Sequence, residues 1–367
     1  MATVTIKDVT DHLESLAPRS LQEDYDNSGL ITGDANDLVK GILVTLDCTE
    51  NVVDEAIKQN CNLIVAHHPI LFKGLKRLIG QSYVEKVIIK AIKSDIAIFA
   101  IHTNLDNVIS GVNKKIADKI GLENLSILLP KRNTLSKLVT FIPKENAEKV
   151  ITDLHEAGAG NVGNYKNCSF RIAGEGTYLP TADAKPYQGE INKQEKVDEV
   201  RVEVILPTNL ESHILAALRK GHPYEEFAYY LSRLENNNQE VGAGIIGELL
   251  KPQAPLHFLN DLKTKMNVSL IRHTALLGNK IKKVAVCGGS GSFLLSTAIA
   301  READVFISAD FKYHEFFDAE GRILIADIGH YESEQFTKEL LYDFLKEKFH
   351  TFAIIFSESV TNPISYL

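Results

Sequence analysis

GILVTLD (residues 41–47), TENVVDEAIKQN (49–60), CNLIVAHHP (61–69), SYVEKVIIKAIKSD (82–95) and IAIFAIHTNLD (96–106) follow one another near the start of the chain. The first, third and fifth are short apolar runs, while the second and fourth place apolar residues at helical spacing. Strands this apolar offer no face to water, so the pattern reads as βαβαβ, with parallel strands covered by helices on both sides. The far end of the chain repeats the style. KKVAVCGG (282–289), a helix from Ser292 to Arg301, DVFISAD (304–310), RILIADIG (322–329) and ESEQFTKELLYDFLKEKF (332–349) again alternate strand and helix patterns.

Between these α/β portions the style changes near Arg132. LSKLVTFIP (135–143), ENAEKVITDLHEAG (145–158), NYKNCSFRIAGEGTYLP (164–180), DEVRVEVILP (198–207), ESHILAALRKGHP (211–223) and AYYLSRLE (228–235) read as strand, helix, strand, strand, helix, strand. That is a split βαβ, ferredoxin-like α+β pattern. Thr181 to Asp198 has the Gly, Pro and charge content of an exposed connector. The expected organisation is an α/β core formed by 1–133 and 235–367, interrupted by an insert domain at 134–234.

A length of 367 residues with 44 % hydrophobic and 24 % charged residues predicts a globular chain of more than one domain. The net charge of −8 disfavours a general nucleic-acid or anionic-membrane surface. The N-terminus MATVTIKDVTDHLESLAP has no leader pattern and no run is long enough to span a bilayer, so a cytoplasmic protein is expected. Cys48, Cys61, Cys168 and Cys287 form no CxxC pair, which argues against a disulfide scaffold or a zinc ribbon.

The histidines carry more information. His67 and His68 end an apolar run, where open α/β sheets build their sites. Taken alone the pair is equally well one surface and one core histidine. His102 with Asp106, and His330 with Glu334, add two further strand ends, each with a carboxylate four residues after the imidazole. On a helical turn that spacing puts both side chains on one face. Imidazole and carboxylate together suit Zn, Fe or Mn, and a shared carboxylate is one way to hold two such ions. A solvated or capping pair is the bland alternative at each position.

Other features admit two readings. Asp310, with His314 four residues on, is either an acid/base pair near the site or a helix cap beside a surface histidine. Gly288-Gly-Ser-Gly291 is either a phosphate-accepting loop or a tight turn. Asp26-Asn-Ser-Gly-Leu30 reads as an Asx turn, and His222-Pro-Tyr-Glu-Glu226 as a ligand cluster or a loop closing a helix onto a strand. Gly158 to Gly163 matches GxGxxG but follows a helix and precedes a strand, the reverse of a dinucleotide site. GxSxG and HExxH are absent.

DNSGL (26–30), AHHP (66–69), HTNLD (102–106), CGGSG (287–291), ISADFKYH (307–314) and GHYESE (329–334), in this order, resemble the Nif-three-like dinuclear-metal family, the GTP cyclohydrolase 1 type 2 homologues. Tyr25 stands where many relatives have Trp. The resemblance implies a three-layer core of βα units with a PII/CutA-like insert, HPYEEFAYYL being its closest-matching stretch. It implies two divalent ions per chain, Zn first and Fe or Mn as alternatives, on His67, His68, Asp106, His330 and Glu334. His102 and His314 would line the site as catalytic groups. It further implies a hexameric ring of identical chains and a small-molecule substrate of the nucleotide class, opened at its purine ring by metal-activated water. The rival reading is a metal-binding or metal-delivery protein with a ligand-sensing insert; a third is a regulatory interaction protein.

Overall fold

A computed structural model describes residues 4–367; the first three residues of the N-terminal stretch quoted above lie outside the described residues. The chain divides into two compact units, Met1–Pro130 with Glu240–Leu367 and Lys131–Gln239.

The larger unit contains two sheets. In the first, strands run in the order Gly29–Thr32, Ala97–Ala100, Leu63–Ala66, Gly41–Thr45, Ala353–Phe356, all parallel except the edge strand Gly29–Thr32. The second has six strands in the order Arg272–His273, Leu324–Asp327, Val305–Ala309, Ile281–Ser290, Gly242–Gln253, Leu122–Pro130. Its three central strands, Ile281–Ser290, Val305–Ala309 and Leu324–Asp327, are parallel, and the flanking ones antiparallel.

Alternate residues of each parallel strand enter different cores, because successive side chains leave opposite faces. Ile42, Val44, Leu63, Val65 and Phe99 of the first sheet share one cluster with Val284, Val286, Val305, Ile307 and Leu324 of the second. The helices Ile6–Leu16, Val112–Ile120, Pro255–Lys265 and Thr337–Lys348 add buried side chains to that same cluster. Leu43, Ile64 and Ile98 face the other way, onto the helices Glu50–Lys58 and Tyr83–Lys93. Ala285, Phe306 and Ile325 do the same on the outer face of the second sheet. The α/β character follows the sequence pattern, but the layering differs from a single three-layer core. Both sheets are apolar on both faces, so each needs two coverings, and one helical layer serves both.

The smaller unit is a four-stranded antiparallel sheet in the order Phe170–Tyr178, Glu195–Pro207, Leu135–Pro143, Tyr229–Leu234. The helices Ala147–Glu156 and Glu211–Gly221 pack Val150, Ile151, Leu154, Ile214 and Leu218 against Leu138, Ile142, Val202, Val204 and Leu206. In chain order this is strand, helix, strand, strand, helix, strand. The connector after Thr181 is shorter than its composition suggests, since Glu195 already begins the long strand. Among the described residues, no helix is long and apolar enough to cross a membrane.

Candidate metal centre

The parallel strands of both sheets deliver polar residues at their C-terminal ends. His67 and His68 follow Leu63–Ala66 directly, and His102 follows Ala97–Ala100 after Ile101. Thr103–Asp106 is one helical turn, closed by the Asp106 N–H donating to the His102 carbonyl at 3.1 Å, and it brings Asp106 back toward the strand end. From the second sheet, Leu324–Asp327 leads through Gly329, at φ +92°, into the short helix His330–Glu334. Its i,i+4 spacing sets Glu334 beside His330.

One oxygen lies at the centre of this convergence. Oε2 of Glu334 stands 3.0 Å from His68 Nε2, 3.2 Å from His330 Nε2 and 3.9 Å from His67 Nε2. His67 Nε2 lies 3.7 Å from Asp106 Oδ1, and the His68 and His330 Nε2 atoms are 3.4 Å apart. The side chains fall into overlapping triads: His68, His330 and Glu334; His67, Asp106 and Glu334; His67, His68 and His102. All five residues nominated as ligands are thus in one place, with His102 beside them, its ring centroid 5.3 Å from those of both His67 and His68.

Each of the four imidazoles is held through its other nitrogen. His68 Nδ1 donates to Asp47 Oδ1 at 2.8 Å, His102 Nδ1 to Asp26 Oδ1 at 2.8 Å, His330 Nδ1 to Asp310 Oδ2 at 2.6 Å and His67 Nδ1 to the Ile101 carbonyl at 2.8 Å. Donation from Nδ1 fixes each ring's orientation and turns its Nε2 into the cluster, which is how metal-binding histidines are held; on His68 and His330 that Nε2 carries a proton shared with Glu334, which a bound metal would displace. The anchors are themselves anchored. Asp26 accepts from the Thr103 N–H at 3.0 Å and from Thr103 Oγ1, and Asp47 accepts from Thr361 Oγ1 at 2.6 Å. Asp310 occupies φ +59°, a conformation that Asp tolerates better than most residues, and this turn lets its carboxylate reach His330.

The electrostatics are correspondingly divided. Burial alone would lower the pKa of His68 and His330, but their carboxylate partners, Asp47 and Glu334 for one and Asp310 and Glu334 for the other, raise them to about 10 and about 11. His67, fully buried with only a carbonyl on Nδ1, is pushed down to about 3. Burial and the neighbouring Glu334 charge push the Asp106 carboxyl up, whereas hydrogen bonds from His330 and His68 overcome burial and hold Glu334 ionised. The site is thus rich in negative charge, balanced by two imidazolium groups.

The glycine loop serves the carboxylate. A Cβ on Gly289 would sit 2.4 Å from Glu334 Oε1, and its φ of +60° favours glycine in any case. The Gly288 and Gly289 N–H groups donate to Asn113 Oδ1 and Ser333 Oγ, both at 2.9 Å, so they are spent within the protein and the phosphate reading of this loop fails.

His314 is not brought to the cluster. Among the described residues its ring contacts are with Tyr313 and Phe317, at 5.2 and 6.3 Å, on an exposed 3₁₀ helix, Tyr313–Ala319, that is capped by Lys312 and not by Asp310. His222 is structural: its Nε2 donates to the Phe141 carbonyl at 2.9 Å and its Nδ1 accepts from the Tyr224 N–H at 3.1 Å. Asp47 was not nominated by the sequence, although it too ends an apolar strand run. Asp26, read as a turn residue, also anchors His102.

Among the described residues, His67 Nε2 and Asp106 Oδ1 are buried polar atoms with no hydrogen-bond partner. Each orphaned group of this kind costs about 1–3 kcal/mol. Two donors on one tetrahedral ion at about 2.1 Å stand roughly 3.4 Å apart. The separations around Glu334 span 3.0 to 3.9 Å. The orphaned atoms, the N/O donor set and the spacing therefore all fit divalent metal.

Residues 4–363 match the family described as Duf34/NIF3 (NGG1p interacting factor 3). A Staphylococcus epidermidis protein named GTP cyclohydrolase 1 type 2 homolog is 38 % identical over 365 residues, spanning 98 % of this chain and 99 % of its own. A Bacillus subtilis protein of the same name is 37 % identical over 360 residues, 96 % of each chain. The crystal structure of a Bacillus cereus protein related to NIF3 superposes with a TM-score of 0.88 at 35 % identity, covering all of both chains.

Proposed function

The chain belongs to the Duf34/NIF3 family, and from that premise we propose that it is a dinuclear divalent-metal protein acting as a metal-dependent hydrolase of the GTP cyclohydrolase 1 type 2 kind. The observation that carries this reading is the position of Glu334 Oε2, within 3.0 to 3.9 Å of three imidazole Nε2 atoms. His68, His330 and Glu334 would hold one ion, and His67, Asp106 and Glu334 the other, with the Glu334 carboxylate common to both. Zinc suits these donors best, iron and manganese next.

Bound divalent metal supplies Lewis acidity and lowers the pKa of coordinated water toward neutrality. The protein's own part is orientation and proton transfer. Asp47 and Asp310 aim His68 and His330, while Ile101 fixes His67 in its neutral form. His102 is the group assigned to proton transfer: Asp26 holds its Nδ1 at 2.8 Å, and its ring lies against those of His67 and His68. Asp26 is kept ionised for this, because hydrogen bonds from His102 and Thr103 outweigh its burial. The His330 and Asp310 side chains are 36 % and 48 % exposed, so a small molecule reaches the cluster from their side.

That same openness favours a second reading, a protein that receives and hands on metal. The split βαβ order of the insert supports a PII/CutA-like, ligand-sensing role in either case, and the family resemblance supports a hexameric ring. Four free cysteines suit a cytoplasmic setting. Purified with its metal and presented with a panel of nucleotides and phosphoesters, the protein should show turnover that His68→Ala abolishes. Tight binding without turnover, together with transfer of metal to an acceptor, would decide for delivery.

A further inference from the structure

The segment after the strand Ala353–Phe356 returns to the candidate metal centre and touches both halves of it. Ser357 Oγ, the Glu358 N–H and Ser359 Oγ all donate to the Glu55 carboxylate at 2.7 Å, which pins the chain to the helix Glu50–Lys58. Two residues further on, Thr361 Oγ1 donates to Asp47 Oδ2 at 2.6 Å, and Asp47 through its other oxygen accepts from His68 Nδ1. The next residue, Asn362, donates from Nδ2 to Glu332 Oε1 at 3.0 Å, and Glu332 is a buried residue of the helix that carries His330 and Glu334. Asn362 Oδ1 also accepts from the Ile364 N–H at 3.1 Å, which fixes the amide with Nδ2 toward Glu332, and Pro363 disfavours helical backbone at Asn362.

His68 is delivered by one sheet and Glu334 by the other. Thr361 and Asn362, adjacent in sequence, are bonded one to each side. We propose that Ser357–Asn362 is a positioning strap for the metal centre, with Thr361 acting on His68 through Asp47 and Asn362 acting on the His330–Glu334 helix through Glu332. A carboxylate oriented by one hydrogen bond holds an imidazole at a fixed angle, whereas a carboxylate free to rotate does not. The inference rests on the reading of this cluster as a metal centre, and it adds a reciprocal effect. If strap docking favours metal, bound metal must favour strap docking by the same factor.

The test uses the full chain and Zn²⁺ alone, titrated against a chromophoric chelator, with hydrogen exchange of residues 357–362 as a second readout. Thr361→Val should weaken Zn²⁺ binding roughly tenfold, the lower end of the loss seen when a partner of a metal ligand is removed. Thr361→Ser, which keeps the hydroxyl, should restore it. Zn²⁺ should slow exchange at the Glu358 and Ser359 amides of the unmodified chain. His68→Ala serves as the control: if it binds Zn²⁺ as tightly as the unmodified chain, the metal-centre reading itself falls and the strap with it. If His68→Ala loses affinity while Thr361→Val does not, or Thr361→Ser is as weak as Thr361→Val, the strap is wrong and the metal centre stands. Should Thr361→Val not fold, exchange at 357–362 that ignores Zn²⁺ overturns the proposal on the unmodified chain alone.

Discussion

Glu334 Oε2 lies 3.0 Å from His68 Nε2, although 266 positions separate the two residues in sequence. That contact joins the C-terminal ends of two different sheets through one buried oxygen, and three imidazoles share it. If the cluster holds two ions as proposed, Glu334→Ala is expected to empty both positions together and not one of them. Metal analysis after reconstitution should give close to two ions for the unmodified chain, and the variant should lose affinity by more than about 100-fold, beyond what loss of an outer partner costs. One ion retained at full affinity in the variant would refute the shared carboxylate.

Three aspartates stand behind three of the imidazoles, so each can be tested separately from the ligands. Asp26→Asn, Asp47→Asn and Asp310→Asn keep size and remove charge. For Asp47 and Asp310 the expected loss of metal affinity is about 10- to 100-fold. Asp26→Asn should spare metal and lower turnover, because His102 is assigned to proton transfer. His314→Ala should leave affinity unchanged, since its ring packs on Tyr313 and Phe317. A His314→Ala protein that loses half its metal would place that residue at the site after all.

Gly289 offers a steric test of the same oxygen cluster. Alanine there meets both a φ of +60° and a contact 2.4 Å from Glu334 Oε1. The backbone conformation alone costs about 1–2 kcal/mol. Gly289→Ala should lower the melting temperature and weaken metal binding, whereas Gly321→Ala, also at positive φ but with open space around it, should lower stability only. Equal metal affinity in the two variants would contradict the tight fit around Glu334.

The contrast between His330–Glu334 and Asp310–His314 shows where sequence reading stops. Both pairs have i,i+4 spacing after an apolar strand. In the first, the helix begins at His330, so four residues make one turn and both side chains meet. In the second, Asp310 is left outside the helix by its positive φ and the 3₁₀ helix begins only at Tyr313, so the rule of four has nothing to act on. Apolar runs ending in His67–His68 or His102 are legible because imidazoles at such ends are conspicuous. Asp47 ends its run in the same way, yet one carboxylate among 48 acidic residues carries no mark. Thr361 and Asn362 were invisible for a different reason: their roles depend on where a chain returning from the last strand lands. The alternation of Leu43 with Ile42 and Val44 was readable, but that one helical layer would serve two sheets was not.

The insert leaves the larger unit at a hairpin. Pro130, the last residue before it, pairs with Gly242 in the antiparallel ladder of Leu122–Pro130 with Gly242–Gln253. Chain ends that close can be joined by a short turn. Replacing residues 131–239 by a Gly-rich link of a few residues is expected to leave a folded protein that binds Zn²⁺ as tightly as the full chain, since every proposed ligand lies outside the deletion. Loss of cooperative unfolding with several link lengths would show that the larger unit needs the insert for its core.

Glu55 gives a pH test away from the metal ligands. Burial raises its pKa, but hydrogen bonds from the Glu358 N–H, Ser357 and Ser359 more than compensate and hold it below the ordinary value. A folded-state pKa below the unfolded one means that the contribution is complete above the ordinary glutamate value. It is lost as the pH falls through the folded value. Glu55→Gln removes the charge at every pH, so its stability should trail the unmodified chain by about 1–2 kcal/mol at pH 7, the worth of hydrogen bonds to a partly exposed charged acceptor. The gap should narrow once the pH falls below the ordinary glutamate value and close below the lower, folded-state value, where both proteins present a neutral side chain to the segment 357–359. Denaturant unfolding of both proteins between neutral and acid pH, followed by circular dichroism, measures that gap directly. A gap that stays constant across the acid limb would mean that charge plays no part in holding the segment, and that Glu55 acts there only through its shape.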